Sequence, residues 1–129
     1  MRNVFLLTVA VFIVATMVTV GCKKVQSEDP LRVSNDAGTM SVSPGPELDV
    51  NITVESAMPR SGIWIEVAVK GEIDNQNYPQ GSRILTNTAV TKIKIKNLPR
   101  QKICICTITI ASKNSSSNKA TTSFRAAYK

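Results

Sequence analysis

Hydrophobic and polar residues alternate along several short segments of the chain. In segment 48–54, the residues Leu48, Val50, Ile52 and Val54 are apolar and the residues between them are polar. A period of two puts the apolar side chains on one face, so this pattern predicts a strand buried on one side. Similar alternation predicts strands at 31–33 and 40–42 (one split strand), 63–70, 83–86, 91–96, 103–110 and 120–129.

Turn-forming residues separate these segments. Pro44, Gly45 and Pro46 predict a tight turn, and 71–82 is the longest irregular stretch. No segment after residue 22 has a helical period. About seven short strands with turns between them predict an all-β antiparallel sandwich over residues 31–129.

The first 22 residues break this pattern. Arg2 is followed by an apolar run over 4–20 and then by Gly21 and Cys22. A positive start, an apolar centre and a small residue before a cleavage point are typical of a secretory signal peptide. We therefore expect a signal helix that is removed as residues 1–21. An uncleaved anchor is the alternative, because the run reaches the lower limit for a membrane span, about 17 residues.

The end of this leader, Thr19-Val20-Gly21-Cys22, resembles the lipobox of bacterial lipoproteins. In that family the cysteine thiol receives a diacylglycerol group and the chain is cut just before it. The resemblance implies an exported lipoprotein that is held in the membrane through Cys22, with residues 22–30 as a tether. Some lipoprotein families have an aspartate directly after the cysteine for retention in the inner membrane. Lys23 occupies that position here, so the resemblance favours a location in the outer membrane. An ordinary signal peptide with a chance cysteine is the alternative.

The composition limits the chemistry that the chain can perform. It has 129 residues, a formal net charge of +7, three cysteines and no histidine. The absence of histidine excludes the commonest general base, histidine-dependent nucleophiles and most zinc sites. An enzyme would need a carboxylate pair, for instance Glu55 with Glu66 across neighbouring strands. Solvated carboxylates are the simpler interpretation, so we expect no catalytic activity, no cofactor and no metal.

The positive charge is spread along the chain. It suits anionic lipid or polysaccharide, whereas scattered lysines and few aromatic residues argue against nucleic acid. Lys92, Lys94 and Lys96 share one face of a predicted strand. They form either an anion-binding stripe or a solvated face that discourages pairing between strand edges, and the second is favoured. Trp64 is expected to pack against the protein rather than to bind a ligand.

Two of the cysteines lie in one predicted strand. Cys104 and Cys106 are two residues apart, so their side chains point the same way from Cα atoms about 6.6 Å apart. A disulfide needs Cβ atoms about 3.5–4.5 Å apart. We therefore expect two buried free thiols.

Segment 95–99, Ile-Lys-Asn-Leu-Pro, and the strand at 104–114 resemble the last strands of fibronectin type III and related immunoglobulin-like domains. In that family a leucine near a proline precedes, by six residues, a tyrosine that locks a corner between strands. Leu98 occupies the leucine position, and Cys104 occupies the tyrosine position. The resemblance implies an immunoglobulin-like sandwich after the signal helix, and no particular function.

Alternating strand directions place the connections at two poles. The tether and the loops 56–62 and 113–119 share one pole, where basic residues would face the membrane: Lys23, Lys24, Arg32, Arg60, Lys113 and Lys119. The turns 44–46, 72–78 and 100–102 share the other pole. There Glu72, Asp74 and Tyr78 would face a partner.

These observations together predict a lipid-anchored cell-envelope module that binds or scaffolds an envelope protein or polysaccharide. A small anchored inhibitor or assembly factor with one protein target is the alternative. The sequence leaves the oligomeric state open.

Overall fold

The computed structural model describes residues 28–129. The predicted signal helix, its cleavage point, Cys22, Lys23 and Lys24 lie outside the described residues. Within 28–129 the regular structure consists of strands, and no helix there has the length and hydropathy needed to cross a membrane.

Nine strands follow one another along the described chain. They are β1 (Val33–Asn35), β2 (Met40–Ser43), β3 (Leu48–Val54), β4 (Ile63–Gly71), β5 (Asn77–Tyr78), β6 (Ile84–Thr86), β7 (Val90–Ile95), β8 (Ile103–Ser112) and β9 (Lys119–Tyr128). The expected number was about seven. The count is higher because the two halves of the split first strand join different sheets, and because the long irregular stretch contains the short β5.

The strands form two sheets that share one core. The smaller sheet has the order β1-β3-β7, and the larger has the order β2-β9-β8-β4-β5 with β6 also paired to β4. In outline this arrangement fits an immunoglobulin-like sandwich. All strand pairs are antiparallel except β2 with β9, which is parallel. The purely antiparallel expectation was wrong at this edge, because β2 leaves the sheet of β1 and runs beside the last strand.

The transfer between sheets takes place at residues 36–39. The Asp36 carboxylate accepts hydrogen bonds from the Asn51 backbone N–H and side-chain amide, each at 2.8 Å, which fixes the turn against β3. Gly38 follows with a φ of +70°, a conformation that glycine adopts without steric cost. The split of the first strand therefore has a local cause in the sequence.

The core lies between the two inward faces. The alternation predicted for β3, β4, β7 and β8 is confirmed, since their inward residues are buried or nearly so. The members with the least exposed surface include Val50, Ile52, Ile63, Ile65, Ile95, Ile108 and Ile110. Burial of these branched side chains, at about 25 cal/mol per Å² of apolar surface, stabilises the sandwich.

The two cysteines of β8 belong to this core. Cys104 and Cys106 are buried and free, as expected. Burial raises the pKa of the Cys106 thiol to about 12 and also raises the pKa of the Cys104 thiol. Both are therefore poor nucleophiles at neutral pH, because the thiolate is the reactive form.

Trp64 lies on the outer face of the larger sheet and is half-buried. The guanidinium carbon of Arg83 lies 4.0 Å from the centre of its ring. A cation over an aromatic face contributes about 0.5–1 kcal/mol at an exposed site. Arg83 therefore helps to hold the segment before β6 against β4.

Candidate functional site

The chain enters the sandwich at a surface that we call the anchor pole, formed by residues 28–32, 56–62 and 113–118. The Asn118 side chain accepts a hydrogen bond from the Leu31 N–H at 3.0 Å and donates one to the Asp29 carbonyl at 3.0 Å. The Lys113 N–H donates to the Gly62 carbonyl at 3.1 Å. These bonds fix the start of the domain beside both loops.

Four of the predicted membrane-facing residues, Arg32, Arg60, Lys113 and Lys119, are exposed at or beside the anchor pole. Acidic residues accompany them. Glu28, Asp29 and Arg60 line a surface cavity of about 290 Å³ next to Met58 and Pro59. The pole is therefore mixed in charge. The two acids were not expected at this pole, because residues 22–30 were interpreted only as a tether.

The opposite end, which we call the distal pole, is formed by residues 44–46, 71–78 and 98–102. Its main feature is a tight turn after β4. The Gly71 N–H donates to the Gln76 carbonyl at 2.9 Å, and the Asn75 N–H donates to the Gly71 carbonyl at 3.1 Å. The Asp74 carboxylate accepts from the Gln76 N–H at 3.0 Å. A side chain at position 71 would collide with this carboxylate.

Two ion pairs brace the turn against the rest of the sheet. Asp74 Oδ2 lies 3.2 Å from Lys102 Nζ, and Glu72 Oε2 lies 2.7 Å from Arg125 Nη2. The Glu72 N–H also donates to the Ile103 carbonyl at 2.9 Å. The backbone N–H of Gln76 and then Lys102 lower the pKa of Asp74, and the hydrogen bond to Asp74 raises the pKa of Lys102.

The three residues predicted to face a partner therefore have different positions. Glu72 and Asp74 lie together in the braced turn. Tyr78 is half-buried, pairs with Val69 across β4 and β5, and packs against the core.

The turn presents an apolar residue that the sequence pattern did not predict. Ile73, between the two acids, is 95% exposed. Ile73 and Ile103, which is 36% exposed, both line a surface cavity of about 390 Å³. Alternation could not reveal Ile73, because it is a single apolar residue in an irregular segment. The signal available was its presence at the tip of a turn, where polar residues are usual.

The braced turn should be sensitive to acid. Because the pKa of Asp74 is lowered on folding, its contribution to stability is present above the ordinary aspartate pKa, about 3.9, and is lost as the pH falls through the lower folded value. We expect Asp74→Asn to be less stable than wild type at neutral pH, and the difference in unfolding free energy to shrink as the pH falls below the ordinary aspartate pKa. Urea unfolding of both proteins across this range measures the difference. A difference that does not change with pH would contradict the assignment.

The carboxylate pair considered for an enzyme is not formed. Glu55 follows β3 in the smaller sheet and accepts a hydrogen bond from Ser34 Oγ at 2.8 Å, whereas Glu66 is exposed on β4 in the larger sheet. The expectation that these strands are neighbours was wrong, because the chain changes sheets in the loop between them.

In residues 28–129 no three acidic, histidine or cysteine side chains converge as a metal site would require. Comparisons of the chain with protein-family models, with curated proteins and with solved structures give no match.

Proposed function

We propose that this chain is a lipid-anchored module of the bacterial cell envelope. It binds or scaffolds another envelope component through the end of the domain that lies farthest from the lipid. The leader supports the anchor, since an apolar run ends in the lipobox-like Gly21-Cys22. The observation that carries the proposal is the attachment of residues 28–31 to the anchor pole through Asn118. It ties the domain to its N-terminal segment at one defined end.

The distance between Cys22 and this attachment is short. At about 3.3–3.6 Å per residue, segment 22–28 reaches no farther than about 25 Å. The anchor pole would then lie near the bilayer. Each basic residue close to an anionic surface contributes about 1 kcal/mol at best, and Glu28 and Asp29 oppose part of that attraction.

The distal pole would then face away from the membrane. Its braced turn holds Ile73 in solvent, and a fixed apolar side chain loses little conformational freedom when a partner covers it. An envelope protein or polysaccharide is the proposed partner, and the outer membrane is the proposed location.

The braced turn also favours a second candidate function, in which the chain is an anchored inhibitor or assembly factor with one protein target. A fixed apolar projection beside a cavity suits a defined protein surface better than a repetitive polymer. Capture through the lipid anchor from detergent-solubilised envelopes, with wild type compared with Ile73→Asp, separates the two. A single protein that is lost with Ile73→Asp supports this candidate.

Metabolic labelling with a clickable fatty acid tests the anchor. Cells would produce wild type, Cys22→Ala and, as the matched control, the double variant Cys104→Ala, Cys106→Ala. We expect label in wild type and in the control and none in Cys22→Ala, because only the thiol at position 22 follows the lipobox-like sequence. Label that persists in Cys22→Ala would overturn the lipoprotein assignment.

A further inference from the structure

A long open strand edge in the described part of the chain belongs to β7. This six-residue strand pairs only with β3 and forms one side of the smaller sheet. The other edge strands, β1, β2, β5 and β6, have two to four residues each. Short edge strands limit unwanted pairing. β7 lacks that protection.

The hydrogen bonds show which backbone groups of β7 face outward. The Val54 N–H donates to the Ala89 carbonyl at 2.8 Å, and the antiparallel register continues from there with Ile52 opposite Thr91 and Val50 opposite Ile93. Residues 91, 93 and 95 therefore exchange hydrogen bonds with β3, because bonded pairs alternate along an antiparallel ladder. The backbone groups of Lys92, Lys94 and Lys96 point to the open side.

At Lys96 the side chain of Gln80 makes the hydrogen bonds that a neighbouring strand would make. The Gln80 side-chain amide donates to the Lys96 carbonyl at 2.6 Å and accepts from the Lys96 N–H at 2.8 Å. At the other end, Thr88 Oγ1 donates to the Val90 carbonyl at 3.2 Å. Between these two positions, no other residue of 28–129 bonds the backbone of Lys92 or Lys94. The N–H and C=O groups of these two lysines, two donors and two acceptors, therefore have no partner along the open edge in the described residues.

The lysine side chains determine which strand can use these groups. A second copy that pairs antiparallel about Ile93 would place Lys92 opposite Lys94 of that copy, and like charges directly opposite each other are destabilising. A strand with acidic side chains at those positions is attracted instead. Lys92 and Lys94 now lie 3.6 Å from Asp49 and 3.3 Å from Glu47 in exposed ion pairs. Exposed ion pairs contribute little to stability, so exchanging them for a partner's acids costs little.

We propose that the β7 edge binds an extended segment of another protein, which adds to the smaller sheet as an antiparallel strand through an acidic–apolar–acidic triplet. The two acidic residues pair with the outward backbone groups of Lys92 and Lys94 and lie beside their side chains. The apolar residue between them lies beside Ile93 on the inward face. This inference goes beyond the anchor and the distal pole, and it does not depend on Cys22.

A peptide of alternating glutamate and valine is the probe, titrated against the full chain in non-ionic detergent and followed by fluorescence anisotropy. N-methylation of the glutamates removes the N–H groups that face β7, and we expect binding to weaken by about tenfold or more. N-methylation of the valines is the matched control, because their N–H groups face away, and it should leave binding unchanged. Equal binding of all three peptides would show attraction by charge alone and would overturn the proposal, as would no binding of the parent peptide.

Charge reversal tests the selectivity. The double variant Lys92→Glu, Lys94→Glu should bind the glutamate–valine peptide about tenfold or more weakly than wild type does. It should bind a lysine–valine peptide instead. Lys113→Glu with Lys119→Glu makes the same change in net charge outside the smaller sheet, after β8 and at the start of β9, and should keep the original preference. If both double variants behave alike, the site is not at β7.

Proline substitution tests the hydrogen-bond assignment separately from binding. Lys94→Pro removes an N–H that faces outward, so it should fold like Lys94→Gln, whereas Ile93→Pro removes a ladder bond and should unfold at lower urea concentration. Lys94→Pro should also bind the glutamate–valine peptide more weakly than Lys94→Gln does. Equal destabilisation by the two prolines would overturn the assigned edge.

Discussion

Replacement of Ile108 by alanine is expected to lower the free energy of unfolding by about 2–5 kcal/mol. Ile108 lies in the middle of β8, opposite Val67 of β4 and Thr122 of β9, and is fully buried. Truncation removes apolar contacts and leaves a cavity in the core beside β8, the strand that pairs with both β4 and β9. A loss of this size is a large part of the total stability of a small domain, about 5–15 kcal/mol.

Ile105→Ala on the same strand is the matched control. Ile105 faces outward and is 39% exposed, so its truncation should cost less than about 1 kcal/mol. Urea unfolding followed by the fluorescence of Trp64, the single tryptophan, measures both variants. Equal losses would contradict the assignment of inward and outward faces on β8.

The second large effect is expected at Gly62, where the loop after β3 joins β4. Gly62 has a φ of +89°, and an added Cβ would lie 2.7 Å from the Thr86 backbone carbonyl. Gly62→Ala therefore combines backbone strain, about 1–2 kcal/mol, with a backbone clash that pushes β6 away from β4. We expect a loss of about 3 kcal/mol in unfolding free energy.

Gly81→Ala separates strain from collision. Gly81 has nearly the same φ, +87°, but an added Cβ meets nothing within 4 Å. Its substitution should cost only the strain, about 1–2 kcal/mol. Thermal unfolding of the two variants and wild type measures the difference. If Gly81→Ala were as destabilising as Gly62→Ala, contact with Thr86 would not be the cause.

Local alternation was sufficient to predict the strands that are buried on one side. The bounds predicted for 48–54 coincide with β3, because each apolar residue there faces the core and each polar residue faces away. The end of β8 was missed. Ser112 is buried but polar, so the alternation of apolar and polar residues stops before the strand does.

Local patterns could not predict which strands pair when those strands are far apart in the sequence. The parallel contact of β2 with β9 and the separation of Glu55 from Glu66 both depend on which sheet a strand joins. Strand β5 has only two residues and no period to detect. At the distal pole the acids were predicted and Ile73 was not, since a turn has no repeating pattern from which to infer exposure.

The proposed orientation can be measured by fluorescence quenching in vesicles. The acylated protein would carry a fluorophore at Ser116→Cys, in the anchor pole, or at Asn77→Cys, in the distal pole; both positions are exposed. Acylation would block Cys22, and burial keeps Cys104 and Cys106 from reacting. The vesicles contain anionic phospholipid and a lipid-attached quencher. The proposed orientation predicts strong quenching at position 116 and weak quenching at position 77. Equal quenching, or stronger quenching at position 77, would contradict it.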